Sequence, residues 1–286
     1  MIPAFVNRAA GSAPAAKRAL VEVGGFDVCE ASPRELESRI RKALESAPER
    51  IVIAGGDGSV GTAAGVVCET DTALAVLPGG TLNHFARDHG IPTDPVLAAE
   101  TAKGGEVSRA DTAYVNDAIF LNTSSVGAYV AYVRFRDRAE KWVGYRIASL
   151  LAAIRMLLFM RPVALELDVD GQQLRYNTPI VFIGVGERET KSPTLGNRVP
   201  GGRQCLHLIV VRERRAARLL VVALDAAMRG LDSVARTPEI DSFMTDSCII
   251  RMGGRRHHIA IDGEIVAHSM PLTYRIAKDS LRLVIP

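Results

Sequence analysis

The stretch Ile51-Val52-Ile53-Ala54-Gly55-Gly56-Asp57-Gly58-Ser59 decides the fold. Its first four residues are a continuous apolar run, which suits a strand covered on both faces, as in a parallel sheet. The glycines that follow can adopt positive φ and let the backbone approach an anion closely. Val60 to Val67 is rich in small residues and reads as a helix. The glycines therefore sit at a helix N-terminus, where unpaired N–H groups and a partial positive charge favour phosphate. Asp57 lies inside this loop. A carboxylate beside phosphates repels them unless a divalent cation lies between, so Asp57 is a candidate to hold Mg2+ through water. The alternative is a tight strand-to-helix turn in which Asp57 caps the helix.

Working outward, the same pattern recurs. Ala73 to Leu77 is a second buried strand, Pro78-Gly79-Gly80-Thr81 a second turn, and Leu82 to His89 a second helix. Upstream, Ile2 to Val6 reads as a strand, Asn7 to Ala13 as a glycine-containing loop, Lys17 to Val23 as a helix and Phe26 to Cys29 as a strand. Ser32-Pro33-Arg34-Glu35 is a capping-box pattern with proline at the first helical position. Leu36, Ile40, Ala43, Leu44 and Ala47 then share one helical face. Downstream, Thr93-Asp94-Pro95 caps a helix running to Lys103. This alternation predicts an open α/β domain. It contains no G-x-x-x-x-G-K-[ST] and no G-x-G-x-x-G after the first strand, so the P-loop and the dinucleotide fingerprint are both excluded.

After about Val107 the texture becomes antiparallel. Ala113-Tyr114-Val115 and Ala118 to Asn122 flank Asn116-Asp117 as a hairpin, and Val163 to Val169 and Gln173 to Tyr176 flank the Asp170-Gly171 turn of another. Further strands are expected at Ile180 to Val185, Leu206 to Val211, Ser247 to Met252 and His257 to Ile261, with helices at about Lys141–Met160 and Ala216–Arg229. Two domains follow, as the length suggests at roughly 150 residues each. Residues 1–107 form the α/β domain, completed by a strand within 272–286, and 108–271 form the β domain.

Hydrophobic residues make up 48% of the 286 residues and charged residues 23%, which excludes a mainly disordered chain. A formal net charge of +3 and an aromatic content of 5% argue against a nucleic-acid surface. Cys29, Cys68, Cys205 and Cys248 are too dispersed for a zinc site or a disulfide framework, so a reduced, cytoplasmic setting is expected. The N-terminus lacks a basic segment followed by an apolar core, so no signal peptide is expected. Arg146 and Arg155 interrupt the apolar stretch Trp142 to Met160, which makes it a poor transmembrane span. It reads as a helix buried in the protein or lying on a membrane surface, where Arg134, Arg136, Arg138 and Lys141 could meet anionic head groups.

The two glycine turns together carry a resemblance. Gly55-Gly56-Asp57-Gly58-Ser59 with Leu77-Pro78-Gly79-Gly80-Thr81-Leu82-Asn83-His84-Phe85-Ala86-Arg87 resembles the diacylglycerol kinase catalytic-domain family, which includes bacterial lipid kinases and sphingosine and ceramide kinases. Val6-Asn7 with Gly11-Ser12 is similar to that family's opening loop, and Asp262-Gly263-Glu264 to its late D-G-E motif. The resemblance implies a phosphofructokinase-like (NAD kinase/diacylglycerol kinase-like) α/β nucleotide domain followed by an antiparallel β-sandwich domain for the lipid. It implies ATP and Mg2+ as cofactors, and γ-phosphoryl transfer to a hydroxyl of diacylglycerol or a related lipid at a membrane surface. Asn7, Gly55, Gly56, Asp57, Gly58, Ser59, Gly80, Thr81, Asn83 and Glu264 would bind the nucleotide. Asp57 and Asp111 would serve the metal, and Asp262 would be the general base. Taken alone, Asp262-Gly263 has the alternative reading of a plain hairpin turn, and Asp111 that of a solvated loop acid. A homodimer is left open.

Five departures bear on activity. Ser59 replaces a usual threonine, Gly61-Thr62 stands where many members have Asn-Glu, and His84 stands where many have aspartate. Gly202-Arg203-Gln204-Cys205-Leu206-His207 falls where the family usually has an acidic segment that holds a structural metal in some members, so no such site is expected. Gly184 to Arg198 also lacks the usual Gly-Asn pair. A nearly inactive nucleotide- or lipid-binding homologue is therefore an alternative, and an NAD kinase-like enzyme a further one.

Overall fold

Strand and helix alternate as expected through the first third of the chain. The computed structural model describes residues 1–127, 162–188, 198–212 and 240–286, with single positions between 130 and 155. The chain divides into two units, Met1–Thr112 with Ala277–Pro286, and Ala113–Ile276.

The first unit runs β1 (Ile2–Asn7), α1 (Ala13–Val23), β2 (Phe26–Ala31), α2 (Pro33–Leu44), β3 (Arg50–Gly55), α3 (Asp57–Val67), β4 (Ala73–Pro78), α4 (His84–Asp88) and α5 (Pro95–Gly104). β5 (Glu106–Val115) starts in this unit and ends in the second, and β16 (Leu272–Ile285) runs the other way. The strands lie in the order β2-β1-β3-β4-β16 with parallel neighbours throughout, β16 meeting β4 at Leu283↔Leu74. Every residue from Ile51 to Gly55 is buried, so both faces of β3 are covered, as its unbroken apolar run requires. The capping box at α2 is formed. Ser32 holds the Glu35 carboxyl well below the usual carboxylate range, at about 2, through side-chain and backbone hydrogen bonds. Asp94 likewise accepts the N–H groups of Val96 and Leu97 at the start of α5.

The second unit is a β-sandwich. After β6 (Ala118–Phe120) come β7 (Thr123–Gly127), β8 (Val163–Val169), β9 (Gln172–Thr178), β10 (Ile180–Val185), β11 (Leu206–Val211), β12 (Ile240–Thr245), β13 (Ser247–Met252), β14 (Arg256–Ile261) and β15 (Glu264–Ser269). One sheet is antiparallel in the order β12-β11-β10-β7-β14-β15. The other carries β16-β13-β8-β9, with β5 beside β16 and β6 beside β5. The core lies between the two sheets: Val126, Ile183, Leu208 and Ile259 come from one, Leu167, Ile250 and Tyr274 from the other. Phe120 and Tyr274 meet edge to face at 6.1 Å.

β7 corrects the sequence reading, which assigned no strand to Thr123–Gly127. Its Thr-Ser-Ser start lacks the branched apolar residues that mark strands. Nevertheless it pairs with both β10 and β14, and Ser124 and Ser125 are each 1% exposed. The helix expected at Ala216–Arg229 lies outside the described residues, as do 189–197 of the segment before Arg198, and Arg136 and Lys141. The described positions between 130 and 155 are helical. Val130, Val133, Ala148 and Ala152 are buried, while Trp142, Ile147 and Leu151 are exposed. No helix among the described residues is long and apolar enough to cross a membrane.

Candidate functional site

In the first unit the candidate residues gather at the carboxyl ends of the parallel strands, where open α/β sheets bind ligands. Asn7 ends β1, Gly55 ends β3, and the second glycine turn follows β4. Hydrogen bonds tie these three ends together. Asn7 Nδ2 donates to Ser59 Oγ at 2.8 Å, Ser12 Oγ donates to Gly79 O at 2.9 Å, and Gly79 N donates to Gly55 O at 2.8 Å. The turns also touch through their backbones: a Cβ on Gly80 would stand 2.8 Å from Gly56 Cα, and one on Gly55 2.6 Å from Ser59 Oγ. Glycine is required at both places for the close approach.

Gly56 is the N-cap of α3 and supplies no side chain to it, so the first-turn amides of this eleven-residue helix carry no side-chain cap. Gly58 and Gly80 are exposed beside them, as is Thr81. This is an amide-lined surface suited to phosphate.

Two residues play parts the sequence did not specify. Asn83 sits in the left-handed region at φ 50; its Oδ1 accepts Gly80 N at 2.8 Å and its Nδ2 donates to Gly80 O at 2.9 Å. That brace stops the backbone from being helical there, so α4 begins at His84 and not at Leu82 as the pattern suggested. The Asp57 carboxylate accepts His84 N at 3.2 Å and Phe85 N at 3.3 Å. It therefore caps α4 as well as opening α3, and latches one glycine turn to the other. His84 is exposed and uses its backbone, not its ring, in this contact.

The two residues named for a metal differ in setting. Asp57 is half-buried at the glycine turn, whereas Asp111 is 1% exposed and its Oδ1 accepts Asp279 N at 3.0 Å, within the body of the first unit. No group of three or more His, Cys, Asp or Glu side chains forms a metal cage among the described residues. A cation held by protein groups alone does not fit this donor set. A Mg2+ held chiefly by phosphates, with one carboxylate beside it, does.

In the second unit Asp262 (φ 46) and Gly263 (φ 86) make a two-residue turn between β14 and β15, and Glu264 is the exposed first residue of β15. The carboxylate of Asp262 does not point idly into solvent. Its Oδ2 accepts Leu121 N at 2.8 Å, and its Oδ1 accepts Asn122 N at 2.9 Å and Thr123 N at 2.8 Å. Three of about four lone-pair positions are thus committed. Sequence reasoning missed the neighbour that completes this cluster, Arg188, which is 5% exposed and donates to Asn122 O and Val185 O. The glycines Gly184 and Gly186 just before it were the available signal.

Comparisons with known proteins agree with this geometry. Residues 4–115 match the family model of the diacylglycerol kinase catalytic domain. A diacylglycerol kinase of Mycobacterium tuberculosis is 28% identical over 159 residues, covering 54% of this chain and 50% of that protein. One of Bacillus subtilis is 32% identical over 125 residues, covering 43% and 41%. The chain thus spans about half the length, or less, of these curated relatives. A crystal structure of a diacylglycerol kinase from Bacillus anthracis superposes with a TM-score of 0.74 at 20% identity, covering 100% of this chain and 96% of that one, which establishes the shared fold. The two glycine turns and the parallel strands that carry them lie within residues 4–115, the part of the chain that matches the diacylglycerol kinase catalytic-domain model.

Proposed function

We propose that the protein is an ATP-dependent lipid kinase that moves the γ-phosphoryl group onto a hydroxyl of diacylglycerol or a related lipid. The observation that carries this reading is the pair of glycine turns, locked to each other at Gly56 and Gly80 beside the amide-lined start of α3. The relatives' names supply the acceptor class.

The roles follow from the contacts. Backbone amides of Gly56, Asp57, Gly58 and Gly80 take the phosphates, with the Thr81 hydroxyl beside them. Asn7, Ser59 and Asn83 spend their side chains on holding the turns in shape. Mg2+ would lie by Asp57 and supply charge neutralisation on the phosphates. Phosphoryl transfer passes through a loose transition state with little demand for early proton removal. A carboxylate already held by three amides suits that demand: it is fixed in place and accepts the hydroxyl's hydrogen bond to aim the oxygen, taking the proton late. Asp262 is assigned this role, with Glu264 flanking it.

A membrane-bound acceptor must be met at a lipid surface. Trp142, Ile147 and Leu151 are exposed on helical positions whose neighbours Ala148 and Ala152 are buried, and Arg134, Arg138 and Arg155 are exposed on the same segment. Interfacial tryptophan and basic side chains suit an anionic bilayer.

The test is transfer of label from γ-labelled ATP into a total lipid extract, with nucleotide binding followed by calorimetry. Labelled lipid is expected. In G80A the added methyl meets Gly56, and nucleotide affinity should fall about tenfold or more, the equivalent of a lost hydrogen bond or two. Nucleotide binding with no labelled lipid would favour the inactive-homologue reading. Label entering NAD without lipid would favour the NAD kinase-like one.

A further inference from the structure

We infer that Arg188 is a positioning residue for the Asp262 carboxylate, acting through the peptide group that joins Asn122 to Thr123. The inference rests on the kinase reading for its effect on turnover, and on the second unit alone for its geometry.

One peptide group is gripped from both ends. Its carbonyl oxygen, Asn122 O, accepts Arg188 Nη2 at 3.0 Å and Val185 N at 2.9 Å. Its amide, Thr123 N, donates to Asp262 Oδ1 at 2.8 Å. The return bond, Asp262 N to Thr123 O at 2.8 Å, closes the loop. A cation on the carbonyl end draws charge toward the oxygen and makes the N–H at the other end a better donor. Hydrogen bonds in such a chain strengthen one another in a low-dielectric interior. Arg188 therefore fixes and strengthens the hold that this peptide has on the carboxylate.

Arg188 is itself fixed. Its backbone N–H donates to His207 Nδ1 at 3.1 Å, so that nitrogen is the acceptor and Nε2 carries the proton toward Ser242 Oγ at 2.8 Å. Burial pushes His207 below the usual histidine range, opposed by the charge of Glu187 and reinforced more weakly by that of Arg188, so the neutral ring adds no second cation. A second guanidinium bond, to Val185 O at 2.8 Å, sets its angle. Gly184 leaves the room for this: a Cβ there would stand 2.7 Å from Arg188 Cγ. Gly184 is also the register partner of Thr123 across β10 and β7.

The test uses the full chain and three variants, R188K, R188Q and G184A. Turnover with lipid should fall in the order wild type, R188K, R188Q, with R188Q down about tenfold to a hundredfold, as for loss of a charged hydrogen bond. KM for ATP should stay within about twofold, because no nucleotide contact is removed. Hydrogen exchange of the Thr123 amide, read by NMR, should quicken in R188Q and less in R188K. G184A keeps the charge but displaces the guanidinium, and should copy R188Q in both readouts; it also decides the matter if R188Q fails to fold. R188Q turnover within about twofold of wild type, or unchanged Thr123 exchange, overturns the inference. If the wild-type protein labels no lipid, the kinase reading fails, and Thr123 exchange still decides whether the peptide couples Arg188 to Asp262.

Discussion

The second unit contains the dipeptide Asp-Gly in two hairpin turns, and the two have almost the same backbone. Asp170 and Gly171 lie at φ 51 and 81 between β8 and β9; Asp262 and Gly263 lie at φ 46 and 86 between β14 and β15. Such turns need positive φ at both central residues, which Asp tolerates and Gly favours. The side chains part company. Asp170 is exposed and its Oδ1 accepts one bond, from Thr245 Oγ1 at 2.6 Å. Asp262 is half-buried and accepts three backbone amides, two from the link between β6 and β7 and one from the first residue of β7. Local sequence makes the turn; what the turn is folded against decides whether its carboxylate is held by backbone amides.

The comparison can be broken most sharply at the two carboxylates. D262N should lower lipid-kinase turnover by about a hundredfold or more, the scale of a lost catalytic carboxylate, while ATP binding by calorimetry is nearly unchanged. D170N should leave turnover within about twofold. Equal effects from the two variants would remove the distinction.

The glycines should sharpen the likeness. Neither Gly171 nor Gly263 has an atom within 4 Å of an added Cβ, so only backbone strain opposes a side chain there. G171A and G263A should each lower unfolding stability by about 1–2 kcal/mol in urea melts. Turnover should fall only in G263A, whose strain falls on the Asp262 carboxylate.

The smallest effect is expected from T245A, which removes the partner of Asp170. A loss of about 1 kcal/mol in stability, with turnover unchanged, is the expected outcome of deleting the buried Thr245 hydroxyl, which bonds Asp170 and the Ser247 backbone. A fall in turnover would show that the β8–β9 turn is coupled to the reaction after all.

Much of the fold was legible because local chemistry is strong where it matters. The buried run Ile51–Ala54, the capping box at Ser32–Glu35 and the Asp94 cap each act over a few residues, and each appears as read. The start of α4 was misjudged because Asn83 turns back onto Gly80, a brace that a helical spacing of residues does not reveal. β7 was missed because its strand character comes from the neighbours β10 and β14 on either side, not from its own Thr-Ser-Ser. Arg188 was missed because a lone arginine after a strand is ordinarily a solvated side chain, and only the carbonyls it meets make it otherwise.

By itself the sequence determined the elements that rest on short-range rules: glycine where the backbone must cross φ zero or pack close, capping residues at helix starts, and unbroken apolar runs where both faces of a strand are covered. It also determined that two glycine turns follow two parallel strands. Only the tertiary structure decided that Asp57 latches those turns together, that Asp111 is committed to Asp279, and that Asp262 is gripped by Leu121, Asn122 and Thr123. The reason is physical: a carboxylate's role is set by the donors that surround it, and those donors are backbone amides brought in from as far as 168 residues away along the chain.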